Sequence, residues 1–323
     1  RQIMIQKLAD NLYTFKINFP HSPLGWLNCY VIKGVKGGRD LLVDSGYNTP
    51  QCLADLKQGM EELDMRGDNT DVFFTHCHID HIGNAGNLRD MGCRLLMGRV
   101  EYKFYSSAPW QRQMAHSVLD GVPQEVRDAM NRDRRIPENF HPQTLEDGDV
   151  LSYGGYTLRC IMTPGHSPGH MCLYDPSSKL MLTGDHVLFD ISPNITHNEG
   201  RDMLGDYLNS LEKMLHFEVE TALPGHRWTG GKKFRDRVLE LLEHHEKRLN
   251  ETEQVVTAGE HMCAYEAAAH MSWAIRAKSW EDFPEAQKWF ATGETLAHLV
   301  YLTNHGRLVQ YTDEKGLSEY RHI

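Results

Sequence analysis

The segment Thr75-His76-Cys77-His78-Ile79-Asp80-His81-Ile82-Gly83-Asn84 constrains this chain more than any other stretch. Three histidines and a carboxylate fall within six residues, and the apolar run Asp71–Thr75, which reads as a buried strand, leads straight into them. In an extended segment alternate side chains share a direction, so His76 and His78 can face one metal ion together. Asp80 continues that alternation and His81 faces another way, so a tight turn here could present two ligand sets to two ions. Imidazole and carboxylate donors suit zinc, and also iron or manganese. A polar surface loop could carry the same residue types, but it would not be expected directly on the end of an apolar strand. Cys77 lies between two ligands, and alternation turns it away from them into core packing.

Four donors are too few for two ions, and the chain holds further junctions of the same kind. Thr163-Pro164-Gly165-His166 follows a strand ending at Met162. Thr183-Gly184-Asp185 follows Leu180–Leu182, and Leu223-Pro224-Gly225-His226 closes another apolar run. Each places one His or Asp just past a strand end, beside a glycine that permits close backbone approach. Any one of them could be an ordinary turn. Their recurrence points to one shared site.

The rest of the chain supplies a scaffold for it. Strands are expected at Asn11–Asn18, Asn28–Lys33, Leu41–Val43, Asp149–Leu151, Tyr156–Met162, His170–Asp175, Lys179–Leu182 and Val219–Leu223. Helical spacing marks Pro50–Met65 and Met203–Phe217, and Arg99–Arg135 reads as a helical insertion. From Lys232 onward the pattern is helical: Phe234–Leu249, Ala264–Lys278 and Pro284–Asn304, then a small strand pair around Leu308–Tyr311. The expected division is a catalytic domain over residues 1–230, with its insertion at about 99–140, and a helical, winged-helix-like region over 231–323.

Thr-His-x-His-x-Asp-His, then Pro-Gly-His, Gly-Asp and Pro-Gly-His in this order, with the strand end Leu42-Val43-Asp44-Ser45-Gly46, resembles the metallo-β-lactamase superfamily. The resemblance covers roughly residues 8–230 and implies an α/β fold, the αββα sandwich, with the helical insertion and C-terminal extension added to it. It implies that His76, His78 and His166 hold a first metal, that Asp80, His81 and His226 hold a second, and that Asp185 bridges them. It also gives Asp44 an orienting role behind a ligand histidine; a plain strand-end turn is the competing reading. His170 is expected to hydrogen-bond structurally, and His186 falls outside the metal set. Antibiotic-hydrolysing members usually carry cysteine where Asp185 stands, and flavodiiron relatives carry glutamate where His78 stands. The set in this chain matches glyoxalase II-like thioesterases, lactonases and phosphodiester-cleaving members.

The expected activity is therefore that of a binuclear metal hydrolase. Two divalent ions, zinc foremost, lower the pKa of a shared water, and Asp80 accepts a hydrogen bond from the resulting hydroxide and aims it. A small thioester, ester or lactone is the expected substrate. Phosphodiester or RNA cleavage and a mononuclear iron, persulfide-dioxygenase-like activity are the alternatives. The formal net charge of −10 is a poor footprint for a nucleic-acid partner. Substrate selection would fall to Trp26, Tyr102, Phe104, Tyr105, Trp110 or Trp228, although packing against the body accounts for most such aromatics. The seven cysteines are scattered without a Cys-x-x-Cys, no apolar run reaches membrane-span length, and the first ten residues lack a signal-peptide layout. A cytoplasmic setting without membrane contact is expected, with a homodimer left open.

Overall fold

The computed structural model describes residues 3–20, 22–107, 120–131, 140–195, 197–198 and 200–323. The chain divides into two compact units. The first comprises Arg1–Ser106, Arg135–Pro193 and Lys213–Val238, and the second comprises Ser107–Arg134, Asn194–Glu212 and Leu239–Ile323.

The first unit holds two sheets. One has seven strands in the order β1 (Gln6–Ala9), β2 (Leu12–Asn18), β3 (Trp26–Ile32), β4 (Asp40–Val43), β5 (Thr70–Phe74), β6 (Arg94–Gly98) and β7 (Gln143–Leu145). The other has five, in the order β12 (Thr221–Pro224), β11 (Leu180–Gly184), β10 (Met171–Asp175), β9 (Tyr156–Met162) and β8 (Val150–Tyr153). One apolar cluster joins them. Leu12, Ile32, Leu41, Val43, Phe73 and Leu96 of the first sheet pack with Leu158, Cys160, Leu173, Leu180, Leu182 and Leu223 of the second. Strands buried on both faces read as continuous apolar runs, and β5, β10 and β11 are buried along their whole length.

Helix α1 (Pro50–Glu62) begins at an N-cap Thr49 whose side chain accepts from Cys52 N–H, with proline in its first turn. It lies on β2. A Cβ on Gly59 would sit 2.4 Å from the Phe15 ring, so only glycine lets the helix come this close.

Pairing direction gathers the strand ends. β4 and β5 run parallel, which sets Asp44 beside Thr75. β11 and β12 run parallel, which sets Asp185 beside Gly225 and His226. β9 and β10 are antiparallel, so the loop between them, with His166, lies at the end where β10 starts. Backbone hydrogen bonds then tie the sheets at this end: Met171 N–H to Thr75 O at 2.9 Å and Asn28 N–H to Gly225 O at 2.7 Å.

The second unit is mostly helical. Its α9 (Glu285–Asn304) packs on α8 (Ala264–His270), on α5 (Gln124–Asn131) and on the hairpin β13 (Leu308–Thr312) and β14 (Ser318–His322). Ala264, Ala267, Ala268, Leu296, Leu299 and Leu302 are buried in it. The helix expected over Ala264–Lys278 stops at His270. Arg248 takes over the following segment: it donates to Ser272 O at 2.8 Å and its guanidinium lies 4.3 Å from the Trp273 ring centroid. The helix starting at Phe234 runs on to Ala258, past the expected end at Leu249. No helix among the described residues is long and apolar enough to cross a membrane, and all seven cysteines are free and buried.

Candidate metal centre

Seven side chains predicted from four separate stretches meet at the gathered strand ends. Their ligand atoms form overlapping groups within 4.8 Å: His76, His78 and His166; His76, His81 and Asp185; and Asp80, His81 and His226. The alternation expected to carry through Asp80 breaks earlier. His78 is the N-cap of a single helical turn, α2 (Ile79–Ile82), and Asp80 and His81 project from that turn. The turn sends these two donors towards His226, while extended His76 and His78 serve His166.

Three of the five rings are fixed from behind. Asp44 sits at φ +61°, a left-handed conformation that aspartate tolerates better than most residues, and it is almost fully buried. Its Oδ1 accepts Thr75 N–H at 2.9 Å, and its Oδ2 accepts Thr75 Oγ1–H at 2.9 Å and His81 Nδ1–H at 2.8 Å. Thr75 Oγ1 in turn stands 3.0 Å from His76 Nδ1 and accepts from it. On the other side His226 Nδ1 donates to the Trp26 carbonyl at 2.8 Å. Asp44 is therefore the orienting carboxylate, not a bare turn residue.

These bonds assign the protons. With Nδ1 of His76, His81 and His226 used as donors, each neutral ring turns an unprotonated Nε2 inward. The inward atoms crowd one another. His81 Nε2 and His226 Nε2 are 3.2 Å apart, His76 Nε2 and His166 Nε2 are 3.2 Å apart, and His76 Nε2 is 3.0 Å from His78 Nδ1. Asp185 Oδ2 lies 3.4 Å from His81 Nε2, 3.4 Å from His226 Nε2 and 3.6 Å from His166 Nε2, between the two groups. Its buried Oδ1 has no hydrogen-bond partner. Lone pairs set head to head are repulsive unless a cation lies among them, so this donor set fits metal ions.

The electrostatics separate the two halves. Burial, then the neighbouring imidazoles His81, His78 and His166, hold His76 well below the ordinary histidine value. Burial, with His166 beside it, takes His78 down to about 3. Burial also pulls on His226, but Asp185 and Asp80 outweigh it and raise that ring to about 10. His81 moves up for the same reason, under Asp185, Asp44 and Asp80. Burial would raise Asp80, yet His81 and His226 bring it to about 2. The aspartates thus draw positive charge to the His81 and His226 side of the site, while His76 and His78 are kept neutral.

Other expectations fall out as follows. His170 is structural: it bonds Thr163 Oγ1 at 2.8 Å through Nδ1 and accepts Asp185 N–H at 3.1 Å on Nε2. His186 is buried outside all three ligand groups, and Cys77 is fully buried. Tyr102 and Tyr105 pack on Phe140, with ring centroids 6.3 and 5.4 Å away. Trp110 lies outside the described residues. Trp228 is exposed, packs edge-on against Trp26 at 4.7 Å, and has Lys16 Nζ 3.7 Å from its ring centroid. Gly165-His166-Ser167-Pro168-Gly169 has the spacing of a serine-hydrolase elbow, but it lies between two antiparallel strands, not at a strand-to-helix turn.

Three contributors escaped sequence reading. The Trp26 carbonyl acts through backbone and leaves no residue signature. Asn28, which donates to Pro224 O at 3.0 Å and Arg227 O at 2.8 Å, pins the His226 loop from a position with no motif. Glu101, fully buried, accepts backbone N–H groups from both loops that carry the three-histidine group.

The family model described as Metallo-beta-lactamase superfamily matches residues 27–226, and one described as Metallo-beta-lactamase-like, C-terminal domain matches residues 281–323. A metallo-beta-lactamase family protein from Thermus thermophilus superposes with a TM-score of 0.82 at 27% identity, over 98% of this chain and 100% of that one. The Beta-lactamase-like protein 2 homolog of Caenorhabditis elegans is 25% identical over 84% of this chain and 81% of its own length. An Atrochrysone carboxyl ACP thioesterase from Aspergillus chevalieri is 26% identical over 72% of this chain and 59% of its own length.

Proposed function

The chain belongs to the metallo-β-lactamase superfamily and is a metal-dependent hydrolase, and on that premise we propose that it works with two ions on a small thioester, ester or lactone, in the manner of the glyoxalase II-like branch. The observation that carries the two-ion reading is Asp185 Oδ2, placed 3.4 Å from His81 and His226 and 3.6 Å from His166, so that one carboxylate oxygen adjoins both histidine groups. The thioesterase named among the relatives supports the acyl substrate, and the net charge of −10 favours a small molecule over nucleic acid.

When bound, the ions, zinc in this proposal, supply a water acidic enough to ionise near neutral pH and polarise the acyl oxygen. The chain's own residues do the rest. Asp80, ionised and with Oδ2 3.1 Å from His226 Nε2, accepts the hydrogen bond of the attacking water and fixes its direction. Asp44 and Thr75 keep His81 and His76 from rotating, and the Trp26 carbonyl does so for His226. The acyl carbon gains the water's oxygen, the C–S or C–O bond breaks, and the departing thiolate or alkoxide takes up the proton.

Metal analysis of the purified protein, run beside a panel of thioesters, lactones, bis-aryl phosphodiesters and RNA, tests this. Two ions per chain with thioester or lactone turnover is the expected result. One iron per chain with oxygen consumption would overturn the proposal, as would RNA cleavage that falls steeply with salt.

A further inference from the structure

Glu101 stands in the first turn of α4 (Arg99–Ser106) and is fully buried. Its Oε1 accepts Cys77 N–H at 2.8 Å and its Oε2 accepts Gly169 N–H at 2.7 Å. Cys77 separates His76 from His78, and Gly169 follows His166 by three positions. One carboxylate thus clamps the two backbone segments that supply all three rings of a single ligand group. The other group is not touched by Glu101: Asp44, which also backs His76 by way of Thr75, and the Trp26 carbonyl hold His81 and His226.

A buried carboxylate is costly unless its charge is compensated. No described basic side chain pairs with Glu101. Two amide donors offset part of the cost, and the Cys77 side chain also faces this carboxylate. The fit is close on both sides: a Cβ on Gly169 would fall 2.3 Å from Glu101 N. Glycine lets the His166 loop reach the start of α4, and the carboxylate then locks it there.

We propose that Glu101 is a positioning residue that sets the spacing between the His76–His78 segment and the His166 loop, and thereby the affinity of the three-histidine group for its ion. This rests on the metal-site reading above, but on one of its two halves only.

The test uses zinc titration against a chromophoric chelator, with hydrogen exchange of the metal-free protein as a second readout. Glu101→Gln keeps the shape but sets an NH2 group against one of the two amides. It should weaken the ion held by His76, His78 and His166 by about 10- to 100-fold and leave the other unchanged. Repeating the titration in a His226→Ala background isolates the three-histidine ion. Amide exchange should quicken in peptides covering residues 75–79 and 165–170 and nowhere else. Gly169→Ala, which wedges the same junction from the opposite side with the carboxylate intact, should reproduce both effects and carries the test if Glu101→Gln fails to fold. Equal weakening of both ions, unchanged affinity, or faster exchange throughout the first unit would each overturn the proposal. If the wild type takes up a single ion, the two-ion reading falls, while the Glu101 comparison still decides on the three-histidine group.

Discussion

In the second unit, His245 and His298 stack with ring centroids 5.3 Å apart, buried as completely as His76 and His81 are in the first. His298 Nδ1 donates to the Glu294 carbonyl at 2.7 Å, which leaves its Nε2 to accept from His245 Nδ1 at 3.2 Å. The two rings run head to tail, donor to acceptor, and end on a backbone oxygen. In the candidate metal centre the same distance of 3.2 Å separates His81 Nε2 from His226 Nε2, but both Nδ1 atoms are already committed as donors, to Asp44 and the Trp26 carbonyl, so in the neutral rings both Nε2 atoms are acceptors. Deep burial and short imidazole contacts are common to both places. Proton assignment distinguishes them: the second-unit contact resolves into a donor and an acceptor, with His245 Nε2 left over as one buried acceptor, whereas the metal-centre contact sets two acceptors against each other and is left demanding a cation.

Breaking a ligand should have the largest effect. On the two-ion proposal, His78→Ala is expected to abolish turnover and lower metal content by one ion, read by metal analysis beside a kinetic assay. A variant that kept both ions would erase the contrast with the stacked pair.

Asp80→Asn should slow turnover by about 10²–10⁴-fold with a smaller loss of metal. Full rate in that variant would remove Asp80 from the mechanism.

The stacked pair should answer only in stability. His298→Leu strands the buried His245 Nδ1–H, at about 1–3 kcal/mol in urea unfolding, with metal content unchanged. Loss of metal there would show that the pair is not merely structural.

The pair also carries a pH signature. Burial takes His298 from its ordinary 6.5 to about 3, and burial with His298 and His244 nearby takes His245 well below its usual value. Both rings are neutral when folded, so the unfolded chain binds the extra protons. Stability is therefore complete above pH 6.5 and falls as pH drops from there towards 3. His298→Leu should flatten this acid limb by up to one proton's worth, about 1.4 kcal/mol per pH unit. A wild-type slope that persists unchanged in the variant would place the titration elsewhere.

Cys77→Ser should be the mildest change, with activity within about twofold and a stability loss of about 1 kcal/mol for a buried hydroxyl. The backbone N–H that Glu101 accepts is untouched by it.

The clustering of the seven candidate ligands was legible because each is a side chain of fitting chemistry beside a strand end, and His76–His81 are contiguous. What lay hidden acts through the main chain. Glu101 grips two amides, and the Trp26 carbonyl holds His226 from a position 200 residues away in sequence, so neither leaves a pattern of side chains to read. Asp44 was ambiguous for a related reason: a strand-end aspartate looks the same whether its carboxylate faces solvent or His81. In the fold, β5 and β11 announced themselves as apolar runs. The end of α8 at His270 did not, because helical spacing continues beyond it and Arg248, from a distant helix, captures Ser272 and Trp273 instead. Local propensity cannot register a competitor that arrives only with tertiary structure.

The ligands also follow an order along the chain: His76 to His81, then His166, Asp185 and finally His226. During synthesis the chain that builds the three-histidine group ends with β10, since the β9–β10 pairing and the Gly169 clamp must form behind His166, whereas the second group must wait for His226 and the β11–β12 pairing that delivers it. On the two-ion proposal, a nascent chain stalled between those points holds the ligands of the first ion alone. Loading would then be stepwise and directional, with the earlier site filled while the later one is still being made.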